Sequence, residues 1–491
     1  MRPAALALAL SCLAGCGSPP PEPPVRPNIL FISVDDLNDW IEPLGGHPQA
    51  RTPHLNRFAK TAVNFTRNYS ASPGCNPSRT ALLTGLHTYS TGMYSNYQYW
   101  REVLPDAETL PKYFSRHGYW SAGAGKIFHN DQPDPASWDD YFPSKEKHMP
   151  DHRQPPGVAA GETAAMPKFP DMYGAFDWAP LDVPVEETGD YQSVSWVIDQ
   201  LNREHEKPFF LAAGIYRPHL PWYVPQEYFD LFPVDEVQLP EVLEGDLDDL
   251  SDRARAIASR GGDYHSHVVQ AGQWQAAVQG YLASIAYADA LVGRLLDALD
   301  SSPHAADTIV VLWSDHGWQL GEKQHWRKFA LWDNVARTVL MIRTPEAAAG
   351  KATQRVTSLV DLFPTLVELA GLPTKPGLDG RSLVPLLRNP DQDWPHAAVT
   401  TYDVEEFSVR TEDWRYIRYI DGSEELYDHR IDPNEWNNLA SDPNFDSVKA
   451  RMAEQIPPAP APFAETTYET EPHHVVPYRS REDYRSRISS R

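Results

Sequence analysis

The chain has 491 residues, which is long enough for one large domain with a smaller one, or for two or three average domains. Hydrophobic residues make up 41% and aromatic residues 11%, enough to bury a core, which excludes global disorder. The formal net charge of −24 argues against binding to nucleic acid or anionic lipid, because both have the same sign of charge. An anionic ligand must therefore be held by a local concentration of Lys, Arg, His and metal.

The N-terminal segment has the features of an export signal. Arg2 precedes a short apolar stretch that is not long enough to span a membrane stably. Residues 13–16, Leu-Ala-Gly-Cys, resemble a bacterial lipobox, in which the cysteine is lipidated and becomes the first mature residue. The alternative is a plain secretory signal that is cleaved near Ala14. We predict an exported lipoprotein, attached to a membrane through lipid on Cys16, at the periplasmic face or the cell surface.

The cysteine count points to a single position. The chain has three cysteines, of which Cys12 lies inside the predicted signal and Cys16 at the lipobox. The mature chain would therefore have one free thiol, that of Cys75, and no disulfide between side chains. An unpaired cysteine in an exported protein is either a buried structural thiol or a residue with chemistry of its own.

Apolar, β-branched runs alternate with helical patterns along most of the chain. Because strands that alternate with helices build a mainly parallel α/β sheet flanked by helices, we predict that fold class. Ligands bind beyond the carboxyl ends of such strands, where Asp35-Asp36 and Asp315-His316 fall. The predicted strands are 27–34, 118–124, 208–214, 308–314 and 339–343. The predicted helices are 55–61, 274–299 and 360–370.

The character of the sequence changes near residues 376–400. Residues 402–419 have the pattern of short antiparallel strands, which predicts a smaller C-terminal α+β subdomain. From residue 456 the chain is rich in proline, then charged and poor in core-forming residues, so it is either a surface arm or disordered. The predicted organisation is a signal peptide (1–15), a proline-rich tether (16–27), a catalytic domain (28–380), a C-terminal subdomain (381–455) and the arm or tail (456–491).

The segment around Cys75 has the pattern of a loop that runs into a helix. Pro77 suits a first helical turn and Gly85 a C-terminal stop. We therefore expect Cys75 just before a helix N-terminus, where free N–H groups and the helix dipole hold an anion or lower the pKa of a thiol. An aromatic cluster at 94–100 is expected in a loop near this segment, either stacked on a sugar ring or packed against the protein.

Here the chain resembles the sulfatase family. The run Cys75-x-Pro77-x-Arg79, extended through Thr84-Gly85, matches the pattern that the formylglycine-generating enzyme recognises in that family. The resemblance extends from residue 28 to about residue 440, is closest to the iduronate-2-sulfatase-like branch, and implies an alkaline phosphatase-like fold. The other matching segments are 34–37, 52–55, 125–129, 217–221, 314–318, 426–428 and 432–433.

The resemblance also implies the cofactors and their ligands. Cys75 would be converted to formylglycine, whose hydrate attacks sulfur, by a formylglycine-generating enzyme that acts as the maturation partner. A divalent cation would sit beside it. Calcium is expected because the ligands are rich in carboxylate, and magnesium is the alternative. The implied ligands are Asp35, Asp36, Cys75, Asp315 and His316.

The remaining implied roles concern the hydrated nucleophile and the sulfate group. Arg79 would hold the hydrate. His219 is the expected general acid for the leaving alcohol, with His129 as a helper. Lysines would neutralise charge on the sulfuryl oxygens. The side chains that would surround the sulfate are Lys126, His129, His219 and Lys328, with Lys323 and His325 as alternatives to Lys328.

The predicted function is that of a sulfuric ester hydrolase acting on a sulfated carbohydrate, with a 2-O-sulfated uronic acid as the expected substrate. The first alternative is a phosphonate or phosphate ester hydrolase of the same superfamily, some members of which also use formylglycine. The second is a surface lipoprotein that binds sulfated glycan without turnover. Modification of Cys75 distinguishes the enzyme from the binding protein.

Overall fold

The computed structural model describes residues 26–129, 132–152, 175–260, 263–345, 349–467 and 480–489. The predicted signal peptide and nearly all of the predicted tether, including Cys16, lie outside this range. Within the described part of the chain, every helix is too short or too polar to cross a membrane.

A large sheet forms the centre of the molecule, and the prediction of a mainly parallel α/β sheet is confirmed. Its order is β8–β2–β7–β6–β1–β5–β3–β4, and β6, β1, β5, β3 and β4 are parallel neighbours. The predicted strand at 339–343 forms as β7 but runs antiparallel to β6 and β2, because no long crossover helix separates it from β6. The strands are β1 (Asn28–Val34), β2 (Val63–Phe65), β3 (Trp120–Gly125), β4 (Asp140–Phe142), β5 (Phe209–Ile215), β6 (Thr308–Trp313), β7 (Leu340–Arg343) and β8 (Lys351–Thr353).

Helices lie against both faces of the sheet. Side chains of β1 alternate between the faces, with Leu30 and Ile32 in the core under α7 and Ile29 and Phe31 in the core under α2. Burial on both faces explains the unbroken apolar run of this strand. The described helices of seven or more residues are α1 (Pro53–Ala59), α2 (Cys75–Thr84), α3 (Leu110–Arg116), α4 (Gly189–Leu201), α5 (Asp252–Ala258), α6 (Tyr264–Gln270), α7 (Trp274–Ser301), α8 (Leu362–Leu369), α9 (Asp446–Ala453) and α10 (Arg481–Ser489).

The predicted C-terminal subdomain is confirmed as a second, antiparallel sheet with α9 packed against it. Its first strand lies beside the segment that precedes Cys75. The Thr400 hydroxyl donates to the Ser70 carbonyl at 2.6 Å, and the Thr401 N–H donates to the Ala71 carbonyl at 2.9 Å. The four strands, in sheet order, are β9 (Ala398–Thr401), β10 (Phe407–Arg410), β11 (Trp414–Arg418) and β12 (Glu424–Asp428).

Residues 456–467, the first part of the predicted arm, lie along the surface of the larger domain. The Ala461 N–H donates to the Tyr89 carbonyl at 2.7 Å, and the Ala464 N–H donates to the Gly92 carbonyl at 3.0 Å. The arm therefore contacts the segment that continues into the aromatic cluster at 94–100.

Candidate active site

The helix that begins at Cys75 is buried along its whole length. Gly74 before it has an extended backbone, so Cys75 is the first residue of the helix. The prediction had placed Cys75 one residue earlier, just before the helix. Cys75 thus lies in the first turn, where backbone N–H groups have no partner within the helix. Gly85 ends the helix as predicted, with a φ of 73° that favours glycine, and its N–H donates to the Ala81 carbonyl at 2.8 Å.

Acidic residues lie at the carboxyl ends of two neighbouring strands. Asp35 and Asp36 follow β1 directly, and Asp315 follows β6 after one serine. Because β1 and β6 are parallel neighbours, these ends meet, and the Asp36 N–H donates to Asp315 Oδ1 at 3.1 Å. Asp36 has a φ of 57°, a left-handed conformation that is uncommon outside glycine and is often found at functional sites.

Lys126 reaches the same edge because β3 and β5 approach each other closely at their ends. A Cβ on Gly125 would lie 1.8 Å from the carbonyl oxygen of Gly214, and a Cβ on Gly214 would lie 2.3 Å from the nitrogen of Lys126. Only glycine fits at both positions. Lys126 follows β3 directly, and its Nζ donates to Asp35 Oδ2 at 2.5 Å.

Arg79, one helical turn after Cys75, ties these strand ends together. Its Nε donates to Asp315 Oδ2 and its Nη2 to Asp35 Oδ1, both at 2.9 Å. Its Nη1 donates to the Ser33 hydroxyl at 3.1 Å and to the carbonyls of residues 126 and 127 at 2.7 and 2.9 Å. The Arg79 side chain is 1% exposed, so its guanidinium group is a buried link between these strand ends. Its predicted contact with a hydrated nucleophile stays a prediction.

Two ammonium groups and an imidazole surround the Cys75 sulfur. Lys328 Nζ lies 2.7 Å from Sγ, and Lys126 Nζ lies 3.7 Å away. His316 Nε2 lies 3.4 Å from Sγ, and Asp36 Oδ1 lies 3.9 Å from it. The structure therefore brings together, from distant parts of the sequence, five of the residues predicted to form the site.

Burial has the largest effect on the pKa of the Cys75 thiol. It raises the pKa of Cys75 to about 12, although the positive charges of Lys126 and Lys328 lower it. The expectation of a lowered thiol pKa at the helix N-terminus is therefore wrong, because desolvation of the thiolate outweighs the nearby charges. A neutral thiol is a weak nucleophile, so Cys75 does not look like a thiolate catalyst.

The two adjacent aspartates have opposite electrostatic environments. Burial opposes ionisation of Asp35, but Lys126 and Arg79 outweigh it and hold the pKa of Asp35 well below its usual range. Burial raises the pKa of Asp36 to about 7, against the effect of Lys328. The charges of Asp35 and Asp315 also raise the pKa of Asp36. Asp36 is therefore the carboxylate that an additional cation would stabilise most.

The residues present fit a divalent cation. Asp36, Cys75, Asp315 and His316 each offer a ligand atom, and these atoms lie within 4.8 Å of one another. Asp36 Oδ2 is buried and accepts no hydrogen bond from the described part of the chain, so it is available as a ligand. Carboxylate oxygens with one imidazole suit a hard cation such as Ca²⁺ or Mg²⁺. Asp35 would add a further oxygen from the neighbouring position.

The tautomer of His316 suits a metal ligand. His316 Nδ1 lies 2.9 Å from the Gly317 carbonyl, so Nδ1 donates there and Nε2 presents a lone pair towards Asp36 and Cys75. His219 Nδ1 lies 2.6 Å from the carbonyl of residue 220, and its Nε2 lies 3.8 Å from Asp36 Oδ2. Burial, with Lys328 second, holds the pKa of His219 well below its usual range.

The structure distinguishes Lys328 from its alternatives. Lys323 Nζ donates instead to Asp246 Oδ1 at 2.7 Å, in a separate cavity of about 160 Å³. The two ring nitrogens of His325 each lie 3.0 Å from a carbonyl, those of Ala258 in α5 and of Lys328. His129 is half-buried, and its carbonyl accepts from the N–H of residue 132; its catalytic role stays a prediction.

Sequence reasoning missed the residues that hold the loops of the site. The Tyr281 hydroxyl, in the middle of α7, donates to the Asp36 carbonyl at 2.8 Å. The Ser314 hydroxyl accepts from the Leu37 N–H at 3.0 Å, and the Ser78 hydroxyl donates to the Asp315 carbonyl at 2.6 Å. Ser314 and Ser78 lie inside the matching segments 314–318 and 75–85, but no role was predicted for either of them. Tyr281 lies in an apolar helix and has no signal in the sequence.

The aromatic cluster at 94–100 lies beside α2, the helix that begins at Cys75. Asn96 Oδ1 accepts from the Asn76 N–H at 2.9 Å, and the Gln98 carbonyl accepts from Asn76 Nδ2 at 2.8 Å. Trp100 is buried and stacks on Phe128 with ring centroids 5.3 Å apart. Part of the cluster therefore packs against the protein, and its position next to Cys75 is as expected.

Known proteins are similar to this chain in sequence and in fold. Residues 27–372 match the family described as Sulfatase, and residues 321–459 match that described as N-sulphoglucosamine sulphohydrolase, C-terminal. A sulfatase of Formosa agariphila is 36% identical over 465 residues, which cover 92% of this chain and 90% of that protein. Iduronate 2-sulfatase of Mus musculus is 31% identical over 394 residues, which cover 71% and 69%. A phosphonate monoester hydrolase of Agrobacterium radiobacter, a solved structure, has a TM-score of 0.72 at 24% identity and covers 88% of this chain and 94% of that one.

The mainly parallel sheet, with charged residues gathered at its carboxyl edge, has the same fold as that solved phosphonate monoester hydrolase. With the family match over most of its length, the chain belongs to the sulfatase family. It is therefore an enzyme of the sulfuric ester hydrolase type, a class that generally uses a metal ion and a formylglycine.

Proposed function

We propose that this enzyme removes sulfate from a sulfated glycan, with formylglycine formed from Cys75 as its nucleophile and Ca²⁺ or Mg²⁺ as its cation. The supporting observation is the arrangement of Lys328 and Lys126 around the buried Cys75 sulfur, next to the unpartnered oxygen of Asp36. The two ammonium groups would attract an anionic group that binds beside position 75, and the Asp36 oxygen could accept a cation.

The proposed roles of the lysines and of Arg79 are electrostatic. Lys328 and Lys126 lie beside the Cys75 sulfur, so they would neutralise negative charge that develops on the sulfuryl oxygens, and burial would strengthen their effect. Arg79 keeps Asp35 and Asp315 in place through its hydrogen bonds, so these carboxylates are already oriented before any cation binds.

Formylglycine and the cation would supply the rest of the chemistry. Formylglycine would supply a hydrated aldehyde, with one hydroxyl to attack sulfur and a second to release sulfate. The cation would supply Lewis acidity for the sulfate oxygens and the attacking hydroxyl, and Asp35, Asp36, Asp315 and His316 would hold it.

His219 is the proposed general acid for the leaving alcohol. Its Nδ1 hydrogen bond to a backbone carbonyl fixes the ring, and its Nε2 faces the site. Nε2 needs a proton for this role, and an anionic sulfate ester bound beside the ring would raise the pKa of His219 towards that state.

We propose a 2-O-sulfated uronic acid as the substrate. The support is the similarity to iduronate 2-sulfatase of Mus musculus, over 71% of this chain. We also propose maturation by a formylglycine-generating enzyme and membrane attachment through lipid on Cys16. These proposals are supported by the pattern at 75–79 and by the lipobox-like residues 13–16.

The first test is peptide mass spectrometry on protein purified from its native host. We expect the peptide with residue 75 to be lighter by the exchange of sulfur for oxygen and the loss of two hydrogens, and the N-terminal peptide to begin at a lipidated Cys16. An unmodified Cys75 in this protein would exclude the formylglycine mechanism and favour the glycan-binding alternative.

The second test removes the cation. Chelation should abolish hydrolysis of a 2-O-sulfated uronide and of an aryl sulfate, because Asp36 then loses its compensating charge. Addition of Ca²⁺ or Mg²⁺ in turn should restore it and identify the cation. Faster hydrolysis of a matched phosphonate ester than of the sulfate ester would favour the phosphonate hydrolase alternative.

A further inference from the structure

Tyr216 is the first residue after β5 and begins the loop that carries His219. Because β1 and β5 are parallel neighbours, this loop leaves the sheet at the same edge as Asp35, whose N–H donates to the carbonyl of residue 215 at 3.0 Å. Tyr216 is buried, with 9% of its surface exposed. It therefore lies at the edge of the sheet where the candidate site is.

Asp190 anchors the start of this loop. It is buried in the first turn of α4 and accepts from the N–H of Tyr216 at 2.8 Å and from the N–H of Arg217 at 3.1 Å, one with each oxygen. The Arg217 side chain turns back to the loop, and its Nη1 donates to the His219 carbonyl at 3.1 Å. One carboxylate thus fixes two successive peptide groups before the chain reaches His219.

Tyr216 and His219 share one hydrogen-bond acceptor. The Tyr216 hydroxyl donates to the Leu220 carbonyl at 3.0 Å, and His219 Nδ1 lies 2.6 Å from the same oxygen. A carbonyl oxygen has two lone pairs, so it accepts from both groups. The bond from Nδ1 decides which ring nitrogen of His219 carries a hydrogen and where Nε2 points. Tyr216 therefore holds the acceptor that orients the imidazole.

The ring of Tyr216 also packs against side chains of the site. Its centroid lies 4.6 Å from that of the His219 imidazole, at an interplanar angle of 37°, and 4.3 Å from that of His152. Lys126 Nζ lies 5.3 Å from the centroid of the Tyr216 ring. Contact with a fixed aromatic ring limits the rotation of the imidazole, and the cation–π contact helps to place the ammonium group.

A general acid has to be held in direction as well as in distance. His219 Nε2 would deliver its proton to the leaving alcohol along one direction, and a misplacement of about 1 Å can cost about 100-fold in rate. Asp36 does not fix the ring, because its Oδ2 lies 3.8 Å from Nε2, beyond hydrogen-bond distance. Orientation of the imidazole therefore depends on its hydrogen bond to Leu220 and on its packing against Tyr216.

We propose that Tyr216 is a positioning residue for His219. Its hydroxyl fixes the Leu220 carbonyl that accepts from Nδ1, its ring limits the rotation of the imidazole, and Asp190 holds its backbone. Tyr216 acts through His219 and not on the reacting atoms. This inference rests on the proposed function, in which His219 protonates the leaving alcohol, and deepens it by naming the residue that makes this protonation efficient.

The test compares two sulfate esters that differ in their need for a general acid. 4-Nitrophenolate is a stable anion that leaves without a proton, whereas phenolate is a poorer leaving group and depends on protonation. The measured quantity is the ratio of kcat/KM for 4-nitrophenyl sulfate to kcat/KM for phenyl sulfate. Because both values come from the same enzyme sample, incomplete modification of Cys75 or partial unfolding cancels out of the ratio.

Loss of positioning should increase this ratio. We expect an increase of about threefold for Tyr216→Phe, which loses the hydroxyl only, and of about tenfold for Tyr216→Leu, which also loses the ring. The reference variant His219→Ala should increase the ratio by about 100-fold. Tyr119→Phe is the matched control: the hydroxyl of the buried Tyr119 donates to the Pro27 carbonyl, also at 3.0 Å, at the end of β3 opposite Lys126. The control should leave the ratio unchanged.

An unchanged ratio in both Tyr216 variants, or an equal increase in Tyr119→Phe, would overturn the inference. A further increase when Tyr216→Leu is added to His219→Ala would also overturn it, because the tyrosine would then act without the histidine. An unchanged ratio in His219→Ala alone would instead contradict the proposed general acid. An enzyme with formylglycine but no activity on any sulfate ester would contradict the proposed function.

A second readout does not need turnover. In protein labelled with ¹⁵N-histidine, the ring signals of His219, identified by their absence in His219→Ala, should be those of a single tautomer with hydrogen on Nδ1. In Tyr216→Leu they should broaden or shift towards the average of the two tautomers, and in Tyr119→Phe they should stay as in the parent. Signals of His219 that are the same in Tyr216→Leu as in the parent would count against the inference.

Discussion

At the scale of single residues, Lys323 and Lys328 lie five residues apart in the chain, but of the two it is Lys328 that reaches Cys75 and Asp36. The reason lies in the backbone between them. Lys323, Gln324 and Arg327 all have positive φ, at 50°, 50° and 78°. A segment with this backbone has neither helical nor strand periodicity. The spacing of its residues therefore does not indicate which lysine side chain faces Cys75. Asp35, Asp36 and Asp315 were predictable because strand ends in a parallel sheet always share one edge.

The first prediction uses this pair of lysines. Lys328→Gln should lower kcat/KM for a sulfate ester by about 100-fold or more, because it removes a buried charge 2.7 Å from position 75. Lys323→Gln should mainly lower the melting temperature, because it leaves Asp246 buried without its partner. Steady-state kinetics and thermal unfolding on both variants check this. Similar kinetic losses in both would contradict the placement of Lys328.

At the scale of elements, the apolar strands and the long helix were predictable from their periodicity, and the loops between them were not. The segment 314–339 contains no long apolar run, yet it delivers Lys328 to the site and turns β7 antiparallel. Its course is set by tertiary contacts such as His325, whose ring lies between the carbonyls of Ala258 and Lys328. A sequence pattern does not encode contacts between residues that are far apart in the chain.

Asp333 joins this segment to the C-terminal sheet and gives the second prediction. Burial opposes its ionisation, but Arg415 and other cations hold the pKa of Asp333 below its usual range, so the charged form stabilises the fold. Asp333→Asn should therefore lower the free energy of unfolding by about 3 kcal/mol near neutral pH. Because the group has a depressed pKa, this difference should shrink as the pH falls below the unfolded value of about 4.

Urea unfolding of the parent and the variant across this pH range measures the effect. Asp300→Asn is the control: Asp300 pairs with Arg343 but its side chain is 51% exposed, so solvent screens the pair and little change is expected. A difference for Asp333→Asn that stays constant down to acid pH would argue against an ionised Asp333.

At the scale of the whole molecule, the two-part architecture followed from the change of composition near residues 376–400. The path of the C-terminal arm did not, because proline-rich sequence is equally compatible with an extended surface strand and with disorder. The described arm makes backbone hydrogen bonds to residues 89 and 92, and Gln98 Nε2 donates to the Ala464 carbonyl at 2.7 Å. The arm thus supports the loop that also contacts Asn76, the residue after Cys75.

The third prediction tests this support with two truncations. A chain ending at residue 459 should show faster hydrogen exchange at 89–102 and lower kcat/KM, because it loses the contacts made by 461–467. A chain ending at residue 467 keeps those contacts and should behave as the parent in both measurements. Equal loss of activity in the two truncations would show that the residues beyond 467 are the important ones.

The complete burial of Cys75 also sets an order of events in the life of the chain. Its side chain has no exposed surface, and the helix around it is enclosed on all sides. A modifying enzyme would need access to Cys75 and to the residues that follow it. These residues are buried once α2 has packed against the sheet. If formylglycine forms from Cys75 as proposed, modification and folding compete for the same segment of the newly made chain. A molecule that folds before modification would keep the Cys75 thiol and would lack the proposed nucleophile.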